Sequence, residues 1–125
     1  MKFPKLIFLV AGIYGLLVML PQYFLEAKTG IDYPPAITHP EFFYGFIGVT
    51  VAWQVLFLVM SRDPVRFRPA IIPSIIEKAG FSIAALVLFL QHRLAAVVLI
   101  PAGIDVILGT LFVVAYVVLG RQETS

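Results

Sequence analysis

The 125-residue chain has no cysteine and little charge: Asp, Glu, Lys and Arg make up 13% of it, about half the share found in an average soluble domain. Without thiols there are no disulfides, thiolate nucleophiles, iron–sulfur clusters or cysteine-ligated zinc, and the redox compartment cannot be read. Nine basic residues face seven acidic ones, a net charge of +2, and they form no stripe, so no nucleic-acid partner is expected. Also missing are a Ser-His-Asp set, a phosphate-cradling glycine loop and an H-E-x-x-H pair. His92 has neither a second histidine nor a carboxylate at i+3 or i+4, so it makes no metal site. The sequence therefore offers no catalytic residue, no metal and no cofactor.

What the chain has in abundance is apolar. The AVILMFWYC set supplies 61% of it, with 11 Phe, 5 Tyr and 1 Trp, and its mean hydropathy is +1.00. Disordered, collagenous and coiled-coil chains do not carry this much apolar surface. Four apolar stretches stand out, 6–25, 42–60, 71–90 and 94–119, each near or above the ~20 residues a helix needs to cross ~30 Å of hydrocarbon. Met1-Lys2-Phe3-Pro4-Lys5 ahead of the first stretch resembles a signal-peptide start. No A-x-A-like site follows, which favours an uncleaved helix.

These stretches predict an all-α fold, a four-helix antiparallel transmembrane bundle forming a single polytopic domain, with an outer loop over 26–41. Lys2, Lys5, Arg62, Arg66, Arg68 and Arg121 fall on one side against Lys28 and Arg93 on the other. The positive-inside rule then puts both termini in the cytoplasm, and a bacterial inner membrane is the expected location. Tyr23, Phe42, Phe43 and Tyr44 fall at the outer boundary, where amphipathic rings prefer headgroup depth. Thr38-His39-Pro40-Glu41 matches a capping box and predicts a helix start within a residue or two of His39. Pro21 and Pro101 should each kink a helix or mark its effective end. The fourth helix therefore starts at Leu94 or at Pro101.

Ionisable residues at membrane depth are costly and default to functional candidates. Counted from the cytoplasmic ends at ~1.5 Å per residue, Glu77, Lys78 and Gln54 lie about 9–10 Å deep and Tyr14 and Thr110 about 13 Å. An outer layer holds Gln22, Tyr23, Glu41, His92 and, depending on where the fourth helix starts, Asp105. Gly80 and Ala84 follow Glu77 on one helix face, a small-xxx-small pattern that should turn Glu77 into the bundle. Ala11 with Gly15 and Gly48 with Ala52 repeat the pattern. Lys78 reads as a lysine snorkelling to headgroups. Glu77, Gln54, Tyr14, Trp53 and Asp105 are the candidate ligand-binding residues, and interhelical glue is the alternative reading for each polar group. Arg62-Asp63-Pro64-Val65-Arg66-Phe67-Arg68 has three basic residues, fewer than the 4–8 of a lipid-recognition cluster, and reads as a topology determinant.

Thr38 to Phe46, Trp53-Gln54, Arg62 to Pro69 and Glu77-Lys78 together resemble small uncharacterised bacterial four-helix membrane proteins, a likeness that spans most of the chain and implies no activity. The four spans, Arg68-Pro69-Ala70-Ile71-Ile72 and the acids Glu77 and Asp105 are more distantly similar to the emopamil-binding and sigma-2 receptor family. That likeness implies a four-helix fold holding an amine or sterol-like ligand over intramembrane carboxylates. Length and topology also resemble the small multidrug exporters, but these use a first-helix carboxylate and the chain has none between Lys5 and Glu26. Three functions stand: an accessory or scaffolding subunit with a membrane-protein partner or a second copy; a binder or isomerase of a small lipophilic molecule; and, more remotely, a proton-coupled transporter.

Overall fold

The structure is a computed structural model that describes residues Lys2–Thr124, with side chains through Arg121. Among the described residues five α-helices form: α1 Lys2–Met19, α2 Glu26–Asp32, α3 Pro40–Arg62, α4 Ile71–Leu90 and α5 Leu99–Thr124. No strand occurs among the described residues. Short 3₁₀ segments at Leu20–Phe24, Arg68–Ala70 and Ala96–Val98 extend α1 and lead into α4 and α5. With them, four helices of 23–26 residues are long and apolar enough to cross a membrane. At ~1.5 Å per residue, 23 residues reach about 35 Å, enough for the ~30 Å hydrocarbon layer with some tilt. Large apolar side chains along them, such as Leu17, Ile76 and Ile107, remain exposed, as lipid-facing surfaces require. The chain is a small integral membrane protein.

Two compact units make up the chain, one of Met1–Phe8 with Met60–Ser125 and the other of Leu9–Val59. In the first, α4 and α5 run antiparallel: Arg68 meets Tyr116, Lys78 meets Asp105, and Ser82 meets Ala102. The α4 face turned inward is Ile71, Ser74, Lys78, Ser82 and Ala85, the i, i+3/i+4 stripe of a helix packed on one side. In the second unit α1 and α3 are also antiparallel. Gly12 approaches Leu58, Gly15 approaches Gln54, and the Tyr23 hydroxyl lies over Gly48.

Several boundaries differ from the sequence reading. α1 begins at Lys2 and not at residue 6, because Pro4 lies in the first turn, where its missing N–H has no intrahelical partner to lose. Pro21 ends the α-helical part, as expected, and the chain continues as 3₁₀ to Phe24. The capping box does not form. Pro40 takes the first helical position, so His39 becomes the cap, its carbonyl accepting the Phe42 and Phe43 N–H groups, while Glu41 turns to the His39 ring at 3.3 Å. The 26–41 connection contains α2, which its Pro and Gly content concealed. There Lys28 is 2.8 Å from Asp32 one turn on, and that hydrogen bond holds the ammonium above the ordinary lysine range. The fourth span starts at neither Leu94 nor Pro101. α5 opens at Leu99, and Pro101 falls in its first turn, where it costs no hydrogen bond and makes no break.

α4 ends in a Schellman motif: Arg93 N–H bonds Leu88 C=O at 2.9 Å and His92 N–H bonds Phe89 C=O at 3.0 Å. His92 sits at the left-handed position with φ 59°, where glycine is usual. That conformation costs a non-glycine residue about 1–2 kcal/mol, and glycine's freer unfolded chain returns about 0.4–1 kcal/mol of it. His92→Gly is therefore expected to stabilise the protein by about 0.5–1 kcal/mol, read as a raised unfolding midpoint in mild detergent. A lowered midpoint would contradict this assignment.

Candidate functional site

The inward stripe of α4 explains the site. Lys78 lies on it, four residues from Ser74 and four from Ser82, and only 3% of it is exposed. Its ammonium donates to Asp105 Oδ1 at 3.3 Å and lies 3.6 Å from Glu77 Oε2. The two carboxylate side chains are 15% and 16% exposed. One cation thus faces two acids inside the α4–α5 unit. The expectation of a snorkelling Lys78 is corrected: a nearby acid on each helix offers the ammonium a partner without the reach to headgroups.

Asp105 reaches this level because of the segment between the helices. Lys78 lies about 18 Å from the end of α4 at Leu90 by helical rise. Three 3₁₀ residues at ~2 Å and six α-helical ones at ~1.5 Å carry Asp105 about 15 Å from Ala96. The two depths nearly match, so Glu77 and Asp105 share one layer. The separate layers that suggested a proton-coupled transporter are not formed.

Small residues make the close approach, though not those the spacing suggested. A Cβ on Gly109 would sit 3.2 Å from Lys78 Cβ, and nothing lies within 4 Å of the corresponding point at Gly80. Gly80 and Ala84 are exposed on α4, so the reading that placed their face inside is overturned. Gly109, Ala102 and Ala85 are among the small residues on the packed side. Ser82 Oγ lies 2.9 Å from Ala102 C=O and 3.1 Å from Lys78 C=O. Neutral interhelical hydrogen bonds in membranes average only ~0.6 kcal/mol. The ion cluster, whose disruption costs several times that, is therefore the dominant polar element of this pair.

Glu77 Oε2 is buried and makes no hydrogen bond, and the Lys78 ammonium 3.6 Å away is its ion-pair partner. Arg68 closes the other end of the unit: its Nε donates to Tyr116 C=O at 3.0 Å and its guanidinium carbon lies 3.8 Å from the Tyr116 ring centroid. Gly120 leaves the room, since a Cβ there would come within 3.0 Å of Arg68 Cζ. Sequence reasoning treated Arg68 only as a topology charge, and no local pattern announces this stack. For Lys78 a signal existed: its register with Ser74, Ser82 and Ala85.

The other three candidates belong to the Leu9–Val59 unit. Gln54 is 1% exposed, donates from Nε2 to Thr50 C=O at 3.0 Å, and rests against Gly15. Its Oε1 has no hydrogen-bond partner and lies where a Cβ on residue 15 would collide with it. Tyr14 and Trp53 are half-buried, Trp53 lying 6.4 Å from the Phe57 ring on its own helix. Ala11 and Gly15 are buried as their spacing suggested, whereas Ala52 is exposed. The same unit has an apolar cleft of about 450 Å³ lined by Ile13, Leu16, Leu17, Leu20, Pro21 and Phe24. None of the five candidate residues lines it. Among the described residues no group of three or more His, Cys, Asp or Glu could hold a metal.

Comparison with protein-family models, with curated proteins and with solved structures gave no match to this chain.

Proposed function

We propose that this small integral membrane protein is an accessory or scaffolding subunit without catalysis of its own, set in a bacterial inner membrane with both termini cytoplasmic. The observation that carries the reading is the closed pairing of Lys78 with Glu77 and Asp105. It commits the ionisable groups of α4 and α5 to holding helices together. Outward from that cluster, α4 presents Gly80 and Ala84 on an otherwise apolar exposed face, where another membrane helix can approach closely. A membrane-protein partner or a second copy fits that face.

A second reading, a binder or isomerase of a small lipophilic molecule, draws support from Glu77 Oε2, a buried acceptor left without a hydrogen bond. A ligand amine or hydroxyl would satisfy it. Native mass spectrometry of the chain released in mild detergent, beside Gly80→Leu and Glu77→Gln, separates the two. The subunit reading expects a bound protein or a second copy that Gly80→Leu removes at unchanged helicity. A small-molecule adduct that Glu77→Gln abolishes, with no protein bound, would overturn it in favour of the ligand.

A further inference from the structure

We infer that the end of the protein carrying the 62–68 connection is a binding surface for anionic phospholipid headgroups. In sequence, Arg62, Arg66 and Arg68 are only three basic residues, short of the four to eight that bind acidic lipid. The fold adds to them. Arg68 lies against Tyr116 and Gly120, so the last turns of α5, with Arg121, stand beside the first turn leading into α4. The opening turns of α1 belong to the same compact unit, with the Phe8 ring 4.7 Å from that of Phe112. Antiparallel pairing of α1 with α3 brings the N-terminal end of α1 to the end where α3 stops at Arg62. Lys2 and Lys5 therefore join the arginines, giving six basic residues against Asp63 and Glu123.

The arrangement suits a headgroup layer. Lys2, Lys5, Arg62, Arg66 and Arg121 are all exposed, and they stand at the ends of apolar spans, at the depth where phosphates lie. Asp63 is engaged locally, its Oδ1 accepting the Arg66 backbone N–H at 3.2 Å. The Arg66 guanidinium carbon is 5.5 Å from the Phe67 ring centroid, and Arg68 is fixed on Tyr116. The ring contact leaves the edge N–H groups of the Arg66 guanidinium able to donate to phosphate oxygens. At the other end of the α4–α5 pair, between Leu86 and Ile104, Arg93 is the single charged residue. Charge complementarity therefore selects an acidic lipid for this one end.

The test uses the full chain in mild detergent micelles doped with phosphatidylglycerol or with phosphatidylcholine, read by native mass spectrometry at low and high salt. The expected result is preferential retention of phosphatidylglycerol, weakened by salt and not competed by inorganic phosphate. Retention should fall at least about tenfold in the Lys2→Gln, Lys5→Gln, Arg62→Gln, Arg66→Gln variant. These side chains are exposed, and helicity of the variant confirms that it is folded. Salt dependence of the unaltered chain gives a second readout that needs no variant. Equal retention of the two lipids, salt-insensitive retention, or competition by free phosphate would overturn the proposal.

Discussion

Lys78→Met is expected to destabilise the protein by about 3–5 kcal/mol, the cost of stranding buried charge when one member of an ion cluster is removed. Methionine has similar length and apolar character, so packing changes little and the loss reports electrostatics. Glu77 and Asp105, both mostly buried and both within 3.6 Å of the ammonium, would then face each other with no cation between them. Asp105→Asn should cost less, because Lys78 keeps Glu77 as partner. Unfolding of the detergent-solubilised chain by sodium dodecyl sulfate, followed by circular dichroism, gives both values. Equal stability of Lys78→Met and the unaltered chain would mean that the lysine reaches out to water or headgroups.

The second large effect lies in the other helix pair. Gly15→Ala is expected to destabilise by about 1–3 kcal/mol, the usual cost of overpacking. A Cβ there would come within 2.6 Å of Gln54 Cγ and closer still to Cδ and Oε1, so the stem of the side chain has to move as well as its tip. That movement also threatens the bond from Gln54 to the Thr50 carbonyl. Pairing the substitution with Gln54→Ala should recover much of the loss. Gly80→Ala is the matched control: open space surrounds that position, and alanine's better helix propensity should make the change neutral or stabilising by up to ~1 kcal/mol. If Gly15→Ala behaved like Gly80→Ala, the close approach of α1 to Gln54 would be refuted.

The spans were legible because they depend on composition and length alone. α4 occupies 71–90, as its apolar run suggested, since charge and proline bracket it on one side and Gln91-His92-Arg93 on the other. Helix ends were less legible. At Leu99 a proline in the first turn displaced the expected start, whereas α3 starts within a residue of His39 as expected and only the owner of its cap was misjudged, because a capping pattern alone does not settle that. α2 was hidden because a short exposed helix held by a Lys28–Asp32 pair has no apolar face to announce it.

Within the site, Glu77 and Asp105 were found from the cost of charge at membrane depth. Their relation to Lys78 was not, because small-residue spacing pointed to the Gly80 and Ala84 side. Two small residues one turn apart mark a surface that permits close approach. They do not tell whether the neighbour belongs to the same chain. The polar register of Ser74, Lys78 and Ser82 was the better guide, since buried polar groups need partners. Gln54 illustrates the complementary case: its burial was anticipated, but the glycine that makes room for it lies on another helix.

A double-mutant cycle at Lys78 and Asp105 tests the central claim most directly. If one buried ammonium holds the two helices through these acids, the Lys78→Met and Asp105→Asn losses will be strongly non-additive. The double variant will then be at least about 1 kcal/mol more stable than the sum of the singles implies. Additivity within about 0.5 kcal/mol, in a pair of folded single variants, would contradict the ion cluster and the scaffolding role built on it.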